Sequence, residues 1–142
     1  MELEKVYQLT LLEYANRNDL KKDILNATDV ERGHNPSCGD DLSVMANIQN
    51  GIIKDMSFIG NGCAISTAST AMLIEAIKGI NIEKAKNILK IFFKMIKGDE
   101  ITENEKDLLK DAVILEMTKD MPARIKCATL SWHSTQAILD KY

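Results

Sequence analysis

The sequence predicts an α+β fold: a small antiparallel β-sheet with α-helices packed on one side of it. Three observations point there. An Asn50-Gly51 pair sits between two strand-like runs, capped helical segments follow one another from Ala64 onward, and no repeat, low-complexity stretch or Pro/Gly/Ser-rich linker divides them. With 142 residues, 45% hydrophobic and 27% charged, residues 1–142 read as one domain large enough to bury a core without disulfides.

The opening segment has apolar residues at Leu3, Val6, Leu9 and Leu12, a spacing that predicts a docking helix ending at Asn16 to Asp19, where turn formers gather. From Asp41, Leu42, Val44, Ala46 and Ile48 alternate with Ser43, Met45, Asn47 and Gln49, the two-residue period of a half-buried strand. Asn-Gly suits a tight primed turn, whose two central residues need positive φ, so Ile52 to Ile59 is expected to return antiparallel. Cys38, just before the outgoing strand, and Cys63, just after the returning one, then meet at the same end of the hairpin. Past Gly60-Asn61-Gly62, the Ala-, Ser- and Thr-rich stretch from Ala64 to Lys78 predicts a tightly packed helix closed by Gly79. Asn81 opens an amphipathic helix through Ile88, Phe92 and Met95 to Lys97-Gly98. Thr102-Glu103-Asn104-Glu105 has the form of a capping box before a third helix along Leu108, Leu109, Val113 and Met117. Pro122 starts the last, running to Lys141.

A formal net charge of -3 offers no footprint for nucleic acid or an anionic membrane, so neither is an expected partner. The first residues carry acids among their apolar positions, unlike a signal peptide, and no apolar run approaches membrane-spanning length. The expected location is the cytoplasm. Three cysteines cannot all pair internally, and in a reducing compartment they are thiols or metal ligands.

A lone cysteine is usually a small buried apolar residue, and Cys127 taken alone fits that account. Cys38 and Cys63 differ, because Pro36-Ser37-Cys38-Gly39-Asp40 and Gly60-Asn61-Gly62-Cys63 are loop-like settings. Cys63 directly precedes a helix and Cys127 falls in the opening turns of another, where the positive dipole end is expected to favour thiolate. Asp40, two residues past Cys38, can supply an oxygen or simply cap its own turn. Three thiolates and one carboxylate make four donors, the count for tetrahedral Zn2+ or for the edge irons of an iron-sulfur cluster. A carboxylate holds iron-sulfide iron less firmly than a fourth thiolate, so such a site is suited to releasing its cargo. Arg124, three residues before Cys127, falls on the same helical face, either to stabilise a thiolate or persulfide or as an ordinary surface arginine. His34 reads as a solvated loop histidine, with an alternative ligand or proton carrier as its other reading. His133, beside Trp132, reads as a partly buried structural imidazole.

Taken together, Asn35-Pro36-Ser37-Cys38-Gly39-Asp40, Gly60-Asn61-Gly62-Cys63-Ala64-Ile65-Ser66 and Arg124-Ile125-Lys126-Cys127-Ala128 are similar to the motifs of the U-type iron-sulfur assembly proteins: IscU, SufU and the NifU N-terminal domain. The resemblance covers nearly the full length. It implies that Cys38, Asp40, Cys63 and Cys127 converge on one exposed site that takes sulfur from a cysteine desulfurase and binds zinc, iron or a nascent [2Fe-2S] cluster. Within the family the chain looks SufU-like. The 64-position step from Cys63 to Cys127 is longer than in the IscU branch, and Lys126 stands where that branch has His. Met121-Pro122-Ala123-Arg124 also differs from the segment IscU presents to its chaperone. SufU-like proteins are associated with bound zinc and with persulfide sulfur received at the first cysteine, here Cys38.

The readings in competition are therefore a zinc-dependent sulfur acceptor for a pyridoxal-phosphate-dependent, SufS-like desulfurase and a scaffold on which a [2Fe-2S] cluster forms before transfer to downstream assembly factors or apo iron-sulfur proteins. A metal-free Cys-His hydrolase or transferase ranks lower, lacking any signature for an oxyanion pocket. So does a purely structural zinc module, which normally completes its donors with Cys and His rather than Asp.

Overall fold

The computed structural model describes residues 2–142. Helix α1 (Glu2–Ala15) buries Tyr7, Leu11 and Tyr14, spaced i, i+4, i+7 as one face of an α-helix requires. The expected row of Leu3, Val6, Leu9 and Leu12 is instead at least 53% exposed at every position. A three-residue step falls short of a 3.6-residue turn by about 60°, so these four residues wind around half the helix rather than line one face.

The sheet has three strands, all antiparallel, in the order β1-β2-β3. Strands β2 (Asp40–Gln49) and β3 (Ile52–Asn61) are the expected hairpin, with Gln49 opposite Ile52 and positive φ at Asn50 (53°) and Gly51 (73°). Leu42, Val44, Ala46 and Ile48 are buried as their alternation predicts. The sequence reading did not foresee β1 (Asp29–Asn35), which pairs along the other edge of β2. Its buried positions are Asp29 and Gly33, so it carries no apolar alternation. A Cβ on Gly33 would lie 2.8 Å from Ser134 Oγ and 3.0 Å from Leu130 Cγ; the last helix packs on the strand's bare backbone.

Helix α2 (Ala64–Ile77) is buried almost all round. Helix α3 (Ile82–Ile96) is capped by Asn81, whose side chain accepts from Lys84 N–H, and buries Ile88, Leu89, Phe92 and Met95. The capping box of Thr102 and Glu105 forms as expected and starts α4 (Glu103–Leu109). The helix does not continue through Met117. It breaks at Lys110, φ 52°, and becomes a 3-10 segment, Lys110–Thr118. Leu109, Ala112, Leu115 and Thr118 are fully buried there, a strict three-residue spacing that only a three-residue turn can hold on one face. Helix α5 (Pro122–Leu139) lies against β1, β2 and α2, and its Trp132 stacks on Phe92 with ring centroids 3.6 Å apart in the centre of the core. Among the described residues no helix is long and apolar enough to cross a membrane.

Candidate metal centre

Three separate pieces of chain meet at one end of the sheet. Cys38 stands on the tip between β1 and β2, in a turn where its N–H donates to Asn35 C=O at 3.3 Å and Gly39 takes φ 74°. Asp40 is the first residue of β2 and pairs with Asn35 across the ladder. Cys63 follows β3 as the N-cap of α2, and Cys127 projects from the second turn of α5.

The Sγ atoms of Cys38 and Cys127 are 3.7 Å apart, and Cys38 Sγ donates to Asp40 Oδ2 at 3.0 Å. One donor atom from each of Cys38, Asp40 and Cys127 lies within 4.8 Å of the other two. Cys63 Sγ stands slightly apart, 4.0 Å from Asp40 Oδ2. It accepts from Ser66 N–H at 3.4 Å and donates to Ser66 Oγ at 3.5 Å. All three cysteines are free thiols. Two sulfurs bound to one zinc at ~2.3 Å in a tetrahedron stand about 3.8 Å apart. The Cys38–Cys127 separation already matches that edge, and the donor set of soft thiols with one oxygen fits a thiophilic cation.

The other oxygen of Asp40 explains why the carboxylate is here at all. Asp40 is fully buried, and its Oδ1 accepts the backbone N–H of Cys63 at 2.8 Å, tying the tip of one strand to the start of α2. Gly62 makes this approach feasible: a Cβ there would fall 2.4 Å from Ser66 Oγ and 3.1 Å from Asp40 Oδ1. Burial opposes ionisation of Asp40, but hydrogen bonds from the Cys63 backbone, Cys38, Cys127 and Ser66 together outweigh it and hold its carboxyl below the ordinary range. The centre thus keeps one fixed negative charge.

Cys127 departs from expectation. Burial pushes its thiol far above the ordinary value, and the neighbouring Cys63, Cys38 and Asp40 push it further. The dipole of α5 does not prevail, because its influence fades beyond the first turn and three acidic groups crowd the sulfur. A bound cation reverses this balance, since a coordinating thiol is deprotonated outright.

The structure brings together Cys38, Asp40 and Cys127, with Cys63 at the edge of the group. Arg124 is exposed on α5 one turn before Cys127. Neither histidine joins the cluster among the described residues. His34 is exposed on β1 rather than in a loop, and His133 is exposed and stacked on Phe93 at 4.7 Å rather than partly buried. Sequence reasoning passed over the roles of Gly62 and Ser66 beside Asp40 and Cys63. Ser66 was detectable as the third residue after a cap position.

The chain is similar to known proteins over most of its length. The family of the NifU-like N terminal domain matches residues 13–128. The chain is 33% identical to the iron-sulfur cluster assembly scaffold protein IscU of Thermotoga maritima, over 99% of its own length and 97% of that protein's. It is 37% identical to the zinc-dependent sulfurtransferase SufU of Bacillus subtilis, over 94% and 89%. The crystal structure of FiSufU from Fervidobacterium islandicum superposes with a TM-score of 0.83 at 34% identity, covering 92% of this chain and 93% of that one. An N-terminal NifU-like protein from Brucella abortus shares the fold, with a TM-score of 0.77 at 19% identity over 89% and 86% of the two chains. A three-stranded sheet that gathers thiols and a carboxylate at one end, matched over nearly the whole chain by such relatives, places this protein in the NifU-like N-terminal domain family of iron-sulfur cluster assembly proteins.

Proposed function

We propose that the chain accepts persulfide sulfur from a pyridoxal-phosphate-dependent cysteine desulfurase, with Cys38 as the acceptor and with Cys38, Asp40, Cys63 and Cys127 as the residues that hold zinc. The supporting observation is the gradient of access across the four donors. Cys38 is exposed, Cys63 is intermediate, and Asp40 and Cys127 are buried. An incoming persulfide meets Cys38 first, and if Cys38 turns outward three inner donors still hold the ion.

Zinc, when bound, supplies the positive charge that keeps these thiols ionised near neutral pH. The Cys38 thiolate attacks the outer sulfur of the desulfurase persulfide. The sulfur–sulfur bond of that persulfide breaks, the desulfurase cysteine leaves as thiolate, and a new sulfur–sulfur bond joins Cys38 to the transferred atom. Thiolate and persulfide exchange places, so no external oxidant or reductant is needed. Arg124 offers a guanidinium to the anionic terminal sulfur, a role suited to a side chain that stays charged at any working pH.

A second reading rests on Asp40. One oxygen in an otherwise sulfur donor set holds an iron-sulfur cluster loosely, which suits a scaffold that builds [2Fe-2S] and passes it to apo-proteins. The two readings separate in intact mass spectra, native and denaturing, of zinc-loaded protein incubated with a cysteine desulfurase and cysteine. Sulfur acceptance predicts an adduct on the wild type that is lost in Cys38→Ser while zinc stays bound. Zinc-loaded wild type without an adduct favours the scaffold, and an adduct that persists in Cys38→Ser removes Cys38 from the acceptor role.

A further inference from the structure

Helix α3 carries a charge pattern that the metal centre does not use. Lys86, Lys90, Lys94 and Lys97 follow one another at steps of four, four and three, so all four fall on one face of the helix and its C-cap. Lys90, Lys94 and Lys97 are exposed and form no ion pair among the described residues, while Lys86 donates to Tyr142 C=O at 3.0 Å. Like charges one turn apart repel and destabilise a helix. The dipole of α3 offsets this at its C-terminal end, for Lys94 and Lys97, but not for Lys86 and Lys90. A face kept only for solubility mixes both signs, yet the acid of α3 is Glu83, back in the first turn.

The same lysines line a cavity. It measures about 400 Å³ and is bounded by Lys86, Lys90, Phe93, Lys94 and Lys97 from α3 and its cap and by Gln136 from α5, with Asp99 as the acid among its lining residues. Phe93 stacks on His133, ring centroids 4.7 Å apart, and His133 lines a second cavity, about 240 Å³, together with Lys126 and Asn35. Those two residues adjoin the metal centre: Lys126 directly precedes Cys127, and Asn35 C=O accepts the Cys38 N–H. A band without acids at its near end thus runs from the centre, across His133 and Phe93, to the lysine stripe on α3.

Along α5 the step from Cys127 to Gln136 is about 14 Å. A protein that covers the stripe with a contact face of ordinary size, about 800 Å² per partner, therefore reaches Cys38 as well. Successive lysines rise about 6 Å along α3, the spacing of carboxylates one turn apart on a partner helix. Arginine is the cation favoured for nucleic acid, and the stripe holds none.

We infer that this band is the surface on which an acidic face of the cysteine desulfurase docks, the lysine stripe taking its carboxylates while its persulfide meets Cys38. The choice of partner rests on the sulfur-acceptor reading above; the place where it sits rests on the band.

The test measures binding of the zinc-loaded chain to an immobilised pyridoxal-phosphate-dependent cysteine desulfurase across a range of salt, and sulfur adducts by intact mass. Lys90→Glu with Lys94→Glu is compared with Lys22→Glu with Lys54→Glu, an equal change of net charge at exposed positions that line neither cavity. The stripe variant is expected to bind about tenfold more weakly at low salt, with the gap to wild type narrowing as salt rises. At saturating desulfurase it should gain sulfur at the wild-type rate and keep its zinc. The control should stay within about twofold of wild type. Lys90→Gln with Lys94→Gln, which removes the charges without adding acids, should fall between the two, so the result does not depend on one variant folding. Unchanged affinity in both stripe variants, an equal loss in the control, or a wild type that does not bind the desulfurase overturns the inference. So does a wild type that prefers a random-sequence RNA and loses it in the stripe variants. Binding through the stripe without any sulfur adduct supports the docking surface and removes sulfur acceptance alone.

Discussion

Asp40 shows how one residue serves both the fold and the site. Its Oδ1 fastens the first turn of α2 through Cys63 N–H while Oδ2 faces the thiols. Because the folded carboxyl titrates below its unfolded value, the folded state binds fewer protons as pH falls. The stability this provides is present above the unfolded value of about 3.9 and is lost as pH drops through the folded one. In metal-free protein, Asp40→Asn is expected to cost about 1–3 kcal/mol near pH 6. The gap between wild type and variant should close as pH is lowered from the unfolded value through the folded one, read from thermal melts on either side. A gap that stays constant would mean the carboxylate's charge contributes nothing. The sequence placed this carboxylate beside Cys38 but not its second bond, because that bond needs the 23-residue return of the chain to Cys63.

At the scale of elements, the parts legible in the sequence were those whose period matched their geometry. Leu42 to Ile48 alternate and form a strand; Ile88, Phe92 and Met95 repeat at helical spacing and form a helix. Three elements misled, each for a reason of packing. The row Leu3 to Leu12 kept period three where α1 buries period 3.6. Strand β1 met α5 through Gly33 rather than through apolar side chains. The segment after Leu109 did keep period three, and there it marked a 3-10 turn that the capping box had disguised as an α-helix. The junction is strained: Lys110 takes φ 52° and ψ -134°, a region glycine occupies far more readily than residues with a Cβ. Lys110→Gly is expected to relieve on the order of 1 kcal/mol and to raise the melting temperature by a few degrees. The hydrogen bond it removes, Lys110 Nζ to Glu75 C=O at 3.1 Å, is exposed and weak by comparison. A lower melting temperature would show that this contact outweighs the backbone strain.

For the whole molecule, the central problem is to hold Cys63 and Cys127 in register although they start from different helices 64 positions apart. Apolar packing alone lets helices slide. Between α2 and α5 the core instead carries a chain of buried hydroxyls: Ser69 Oγ donates to Ala128 C=O at 2.5 Å and accepts from Trp132 Nε1 at 2.8 Å, and Thr70 shares a 2.6 Å bond with Ser131. Ser69 and Ala128 each lie within a short distance along their helices from Cys63 and Cys127, so this network indexes one thiol against the other. The Ser- and Thr-rich composition of α2 was visible in the sequence, but its purpose was not, because the partners lie on a helix some 60 residues away. Removing the shared hydroxyl leaves the Trp132 N–H buried and unmet, so Ser69→Ala is expected to cost about 1–3 kcal/mol. It should also weaken zinc binding without touching a ligand, because the relative setting of α2 and α5 becomes loose. Thermal melts and zinc competition on the same preparation decide between the two roles. A variant that is less stable yet binds zinc as tightly as wild type would reduce the network to core packing, whereas a loss in both shows that the fold sets the geometry of the metal centre through Ser69.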